Sequence, residues 1–379
     1  MKIAVITLPL HTNYGGILQA YALKTVLESM GHEVSVMDRR VKMPLPVWWK
    51  APFIYASRML KKMLKPSSGV EVFRELHFRK ELPVMARHVT KFVDSYICPR
   101  MLSSYKDIRE GEYDAFVVGS DQVWRPRYFG RIEDAFLQFT AGWDVKRLSY
   151  AASFGTEQLE YDYTTLEICS ELLEHFDAVS VREDLGVKMC EEWFDCDRAV
   201  QVLDPVMLPD VSIYRELASA SAGHSCRGKV MTYILDPSKE KTAVVDFISK
   251  AAGKEVSPAY VDVRDRRLPA DQRTVPPMEQ WLAGFCDADF VVTDSFHGCV
   301  LSILLHKPFI AVGNSLRGMA RMNSLLSMFS LDDRLVQGID PEDDGEYWLS
   351  QPDWDAVDAV LEEKRKEASA FLENVLNKS

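Results

Sequence analysis

One histidine stands where an apolar run breaks into small and polar residues, in Asp289-Phe290-Val291-Val292-Thr293-Asp294-Ser295-Phe296-His297-Gly298. The β-branched run reads as a buried strand. Cys299 to Leu305 reads as a buried helix, ended by Lys307-Pro308. An imidazole at such a junction faces the crevice where orphan N–H groups and the helix dipole collect ligands. It can also pass protons near neutral pH. A histidine that only caps a turn would show the same local pattern.

Arginines add anion chemistry, because a guanidinium recognises carboxylate or phosphate bidentately. Arg182 stands at the end of Val179-Ser180-Val181, and Arg317 and Arg321 follow Gly313-Asn314 at helical spacing. Each alone would suit a surface salt bridge; together with Lys307 and His297 they could hold a small polyanion. The chain has neither GxxxxGK[ST] nor GxGxxG, so ATP or a dinucleotide cofactor lacks support.

What must position these groups is a set of strands whose loops share one edge. Strands are expected at 3–8 and 34–38, around a helix in which Ile17, Ala20, Leu23, Leu27 and Met30 recur at spacings of three and four before Gly31. Further strands are expected at 115–118, 148–152, 178–181 and 199–203, with a helix at 166–176. A connection rich in Ser, Ala and Gly follows at 209–228. Beyond it, strands are expected at 230–235, 260–263, 290–293 and 309–312. This alternation implies an α/β fold with mostly parallel sheets. The expected organisation is an N-terminal α/β domain at 1–208, carrying a helical, basic insert at about 44–110, and a second α/β domain at 209–340. An acidic loop and a long helix starting near Trp354 make up 341–379.

Polar or glycine-rich clusters follow nearly every expected strand. They are Asn13-Tyr14-Gly15-Gly16, Gly119-Ser120-Asp121-Gln122, Ser153-Phe154-Gly155, Arg182-Glu183-Asp184, Asp204-Pro205, Asp236-Pro237, Asp294 to Gly298, and Gly313-Asn314. Any one is ordinary turn chemistry, and Asp204-Pro205 in particular reads as a turn. Together, on one edge of two sheets, they are expected to line a single cleft between two Rossmann-like domains.

Composition narrows the function classes. At 379 residues two domains are favoured. A net charge of −11 argues against broad binding of nucleic acid. The seven cysteines show no CxxC or Cys/His ligand spacing, so free thiols in a reducing compartment are expected and no metal site. No run approaches the roughly 20 apolar residues of a membrane span, and the start lacks a signal-peptide pattern. The expected location is the cytoplasm, or the inner face of the cytoplasmic membrane.

Several motifs carry a family resemblance. Asn13-Tyr14-Gly15-Gly16-Ile17-Leu18-Gln19-Ala20-Tyr21-Ala22-Leu23, Gly119-Ser120-Asp121-Gln122-Val123-Trp124, Ser149-Tyr150-Ala151-Ala152-Ser153-Phe154-Gly155, Val181-Arg182-Glu183 and Asp294-Ser295-Phe296-His297-Gly298 resemble, in order, the signatures of bacterial polysaccharide pyruvyltransferases. The resemblance implies a fold similar to the two-domain GT-B glycosyltransferases. It implies transfer of pyruvate from phosphoenolpyruvate onto two hydroxyls of a glycan sugar, forming a cyclic ketal in surface polysaccharide biosynthesis. Phosphoenolpyruvate would be the donor substrate, with no further cofactor, and the acceptor a sugar, free or polyprenyl-linked.

By the same resemblance His297 is the catalytic histidine and Arg182 binds the donor; Ser295, Gly298, Arg317 and Arg321 are the further donor-side candidates. Asp294 would orient the histidine or accept a hydroxyl proton. Asn13, Tyr14, Gly15, Gly16, Gln19, Ser120 and Asp121 would bind the acceptor. One departure stands out: many members have Arg-Leu-His where this chain has Ser295-Phe296-His297, and Arg317 or Arg321 are the candidates to replace that arginine. A nucleotide-sugar glycosyltransferase, or a catalytically silent glycan-assembly protein, would use the same scaffold.

The stretch from Trp48 to Lys65 is basic and aromatic within an acidic protein. It reads either as a helix packing its apolar side on its own domain, or as peripheral membrane contact through Trp48, Trp49, Lys61 and Lys62.

Overall fold

Short β-branched runs alternate with helices along the chain, and in the computed structural model they assemble two parallel sheets. The structure describes residues 1–39, 46, 48–65, 70–221, 226–259, 261, 263, 265, 268–313, 319–340 and 342–377. The first sheet contains β1 (Lys2–Ile6), β2 (Glu33–Asp38), β3 (Arg100–Met101), β4 (Ala115–Asp121), β5 (Lys146–Ala152), β6 (Ser180–Val181) and β7 (Val200–Gln201), in the order β3-β2-β1-β4-β5-β6-β7. The second contains β8 (Val230–Tyr233), β9 (Val256–Pro258), β10 (Phe290–Thr293), β11 (Phe309–Val312) and β12 (Leu335–Val336), in the order β12-β11-β10-β8-β9. Every pairing within both sheets is parallel.

Both sheets reverse their winding direction once. In the first, the chain winds outward from β1 to β3 and resumes at β4 on the other side of β1. In the second it winds from β8 to β9 and resumes at β10 on the other side of β8. These reversals leave a crevice at the strand ends where successive connections diverge. The turns after β1 and β4, and those after β8 and β10, therefore sit at the two switch points. The Asn13–Gly16 and Asp294–Gly298 clusters follow β1 and β10 there, and Gly119–Asp121 is the last part of β4 itself.

Burial holds the two halves together. A single apolar core runs from Ile3, Leu18 and Leu23 in the first domain to Trp281, Cys299 and Leu326 in the second. Tyr14 stacks on Trp281 with ring centroids 4.7 Å apart and planes 8° from parallel, and its hydroxyl donates to the Pro276 carbonyl at 2.7 Å. Such a stack contributes on the order of 1 kcal/mol beyond its area burial. The long helix Trp354–Leu376 returns to the first sheet, where Phe371 lies against Tyr150 and Lys146 donates to the Val375 carbonyl.

Three expectations differ from the structure. The strand expected at 260–263 falls instead at β9; Tyr260 and Asp262 lie outside the described residues, and Val261 and Val263 are not in a strand. β9 ends at Pro258 and pairs only with β8, and an edge position tolerates a proline because no ladder donor is needed there. The connection at 209–228 contains the helix Ser212–Ser219, which buries Tyr214 completely. The third is one of two readings of the 48–65 segment, packing of its apolar side on its own domain: the helix Ala51–Leu64 has no buried residue, and Phe53, Leu60 and Met63 are exposed.

Candidate active site

The site is built where two helix N-termini meet. Helix Tyr14–Ser29 starts directly after the turn following β1, and helix Phe296–Leu304 directly after β10. His297, in the first turn of the second helix, lies against Gly15, in the first turn of the first. A Cβ on Gly15 would sit 2.0 Å from the imidazole Nδ1, so no other residue fits this approach without displacing the ring. Both helices aim their orphan N–H groups and positive dipole ends at this point, which favours an anion. The expected cleft is closed here: His297 is only 6 % exposed and stands edge-on to Phe296.

Asp204 is the hub on the first-domain side. Its Oδ2 accepts from Arg182 Nη1 at 2.9 Å and from Ser120 Oγ at 3.3 Å, and faces His297 Nε2 at 3.6 Å. The last distance is an ion-pair contact, too long for a hydrogen bond. Its Oδ1 accepts from the Val206 amide at 3.0 Å, so the expected turn is also present. Burial alone would raise this carboxyl, but His297 and Arg182 outweigh it and hold Asp204 well below the usual carboxylate range.

Arg182 is buried, with Nη2 3.5 Å from Asp121 Oδ1 and its guanidinium 4.4 Å from the centre of the Phe296 ring across the interface. Among the described residues its Nε and Nη2 make no hydrogen bond. Arg321 is buried close enough to feel it: burial first, then the Arg182 charge, pushes the Arg321 guanidinium down to about 10. Two guanidiniums and a histidine are thus buried together at two helix N-termini, with the carboxylates of Asp204 and Asp121 among them.

The other expected site residues divide clearly. Asn13 Nδ2 reaches Asp121 Oδ2 at 3.4 Å, and a Cβ on Gly16 would press on both side chains. Gln19 is wholly occupied, donating to Thr7 Oγ1 and the Gly16 carbonyl and accepting from the Ser120 amide. It fixes the β4 turn against the first helix. Tyr14 has its hydroxyl on Pro276, as described. Gly298 gives room to Thr293, whose Oγ1 would lie 2.2 Å from an added Cβ, and the Ser295 amide donates to that same hydroxyl. Arg317 lies outside the described residues.

Asp294 turns away from His297. It accepts from the Leu235 and Asp236 amides at 2.6 and 3.0 Å and pairs with Lys241 at 2.7 Å, almost fully buried. The carboxylate facing the histidine is Asp204, which reads from sequence as a turn. The one sequence signal for it was its place on the same strand edge as the other clusters.

These residues fall within a matched region. The family model for polysaccharide pyruvyl transferase matches residues 13–315. No curated protein matches the sequence. Solved structures similar to it include the glycotransferase of kitacinnamycin, with 12% identity over 98% of each chain and a TM-score of 0.48. MurG of Acinetobacter baumannii has 10% identity over 100% of this chain and 99% of its own, with a TM-score of 0.42. UDP-GlcNAc 2-epimerase of Methanocaldococcus jannaschii, solved with UDP-GlcNAc and UDP, has 11% identity over 100% and 99%, with a TM-score of 0.48. At these scores the likeness says nothing of chemistry, and the two Rossmann-like domains stand on the chain's own parallel sheets. With its matched stretch spanning both domains and both helix N-termini of the site, the chain belongs to the polysaccharide pyruvyl transferase family.

Proposed function

We propose that the protein transfers the pyruvyl group of phosphoenolpyruvate to two hydroxyls of a glycan sugar, giving a cyclic ketal and inorganic phosphate. The observation that carries this reading is the buried cluster of His297, Arg182 and Arg321 between two facing helix N-termini. Phosphoenolpyruvate carries a carboxylate and a phosphate on adjacent groups, and this cluster offers cations and oriented N–H donors on both sides of one proton donor.

The imidazolium of His297 gives its proton to the methylene carbon, which becomes a methyl group. The neighbouring carbon then has oxocarbenium character, stabilised by lone pairs of the phosphate ester oxygen. One sugar hydroxyl bonds to that carbon as its proton passes to the now neutral imidazole of His297, restoring the imidazolium. Phosphate departs with the C–O bond electrons, and a second hydroxyl closes the ring, its proton ending on phosphate. With Nε2 turned to Asp204, Nδ1 faces Gly15 across the interface, and we assign the proton transfer to that atom. Asp204 orients the ring. Admitting the donor requires the two sheet edges to part at Gly15, since the ring fills this point in the closed interface.

The missing arginine two residues before His297 is compensated in this reading by Arg321, brought in from the helix Ala320–Met328. A glycan acceptor incubated with enzyme and phosphoenolpyruvate should gain the mass of pyruvic acid less one water. No mass gain across a panel of surface-polysaccharide acceptors, with phosphoenolpyruvate unconsumed, would refute the proposal.

A further inference from the structure

Among the described residues nothing covers the apolar face of the helix Ala51–Leu64. Phe53 is 77 % exposed, Leu60 57%, Met63 74% and Leu64 73%. Met59 is exposed as well, and Trp48 and Trp49 stand exposed immediately before the helix. At 100° per residue, Phe53, Met59, Leu60, Met63 and Leu64 fall within roughly 140° of arc, a continuous stripe. The opposite side is the one that is held. Arg58 gives two hydrogen bonds to Glu75, each 2.8 Å, and a third to the Val72 carbonyl, while Tyr55 packs on Phe73 at 4.9 Å. Glu75 lies on the helix Arg74–Met85, which reaches the second domain where the Val275 amide donates to Met85. The stripe is thus presented outward by a fixed back face.

Charge identifies what would cover it. Between Asp38 and Glu71 the sequence holds eight Lys or Arg and no Asp or Glu, in a chain of net charge −11. On the helix wheel Lys50 and Lys61 flank one edge of the stripe and Lys62 the other. A second copy of the same surface would bring these cations against each other. An anionic bilayer offers the complement: headgroups for the lysines, acyl chains for Phe53 and Leu60, and the interfacial layer that tryptophan prefers. Among the described residues no helix is long and apolar enough to cross a membrane, so contact would lie along the surface. We propose that the helix Ala51–Leu64, with Trp48 and Trp49, docks this protein on an anionic phospholipid surface, its apolar stripe inserted and its lysines at the headgroups. This stands independently of the reaction proposed above.

Co-sedimentation of the full chain with vesicles tests it, comparing pure phosphatidylcholine with phosphatidylcholine–phosphatidylglycerol at low and high salt. The expected result is binding to the anionic vesicles at low salt that falls as salt rises. The double variants Phe53→Asp/Leu60→Asp and Lys61→Glu/Lys62→Glu alter exposed residues only, and each should lower the bound-to-free ratio by about tenfold or more with unchanged circular dichroism. Absence of the wild type from the anionic pellet at low salt would overturn the proposal, as would equal binding by both variants. A lipid-free dimer that Phe53→Asp/Leu60→Asp dissolves would name a second copy as the occupant and overturn it too.

Discussion

The two helix N-termini that meet in this molecule are related by topology yet contribute opposite things. Each follows a strand at a switch point and each aims positive backbone at the same spot. The second domain supplies a side chain there, His297. The first supplies the absence of one, Gly15, and surrounds it with the Asp121–Arg182–Asp204 network. A site made by close approach needs both, and a glycine can be as demanding as the acid it faces.

Replacing Gly15 by Ala should therefore have the largest effect on this comparison. A methyl 2.0 Å from Nδ1 must displace the ring or separate the domains. We expect a loss of about 10²-fold in pyruvyl transfer, with a destabilisation of about 1–3 kcal/mol measured by thermal unfolding. Near-wild-type turnover would mean that the two helix ends do not work against each other.

The two aspartates give a sharper contrast. Asp294 serves the fold, so Asp294→Asn should cost about 3–5 kcal/mol by leaving Lys241 buried without its counter-charge, while the folded fraction keeps most of its activity. Asp204 faces the histidine, so Asp204→Asn should shift the pH profile of transfer as well. Its sign follows from linkage. Because the folded state holds Asp204 below its ordinary value of 3.8, its contribution is present above that pH and fades as pH falls below it. Acid unfolding curves of Asp204→Asn should lack that component. A variant with an unchanged pH–rate profile would remove Asp204 from the site.

Tyr14→Phe should have the smallest effect. Losing the bond to Pro276 while keeping the stack on Trp281 should lower stability by about 1 kcal/mol and leave acceptor KM unchanged. A large rise in acceptor KM would restore Tyr14 to the acceptor surface.

Much of this arrangement was legible in the residues. Phe290–Thr293 and Phe309–Val312 form strands with the bounds their apolar runs imply, and the edge clusters at 13–16, 119–121 and 294–298 do converge. The two-residue strands β3 and β12 escaped because they are too short to show a period. Asp204 escaped for a different reason. One carboxylate oxygen makes the turn that the sequence implies, and only the packing of two domains reveals where the other points. Asp294 misled through adjacency: three residues from His297 along the chain, it is directed at Lys241 by the amides of Leu235 and Asp236. Exposure of the stripe on helix Ala51–Leu64 was likewise beyond reach, since an amphipathic pattern suits a domain surface or a membrane equally.

Phosphate release from phosphoenolpyruvate in the presence and absence of a glycan acceptor, by the wild type and by His297→Ala, tests the central claim most directly. The wild type should release phosphate only with acceptor, and His297→Ala, folded as judged by circular dichroism, should be slower by ~10²-fold or more. Near-normal turnover by that variant would contradict the role given to His297.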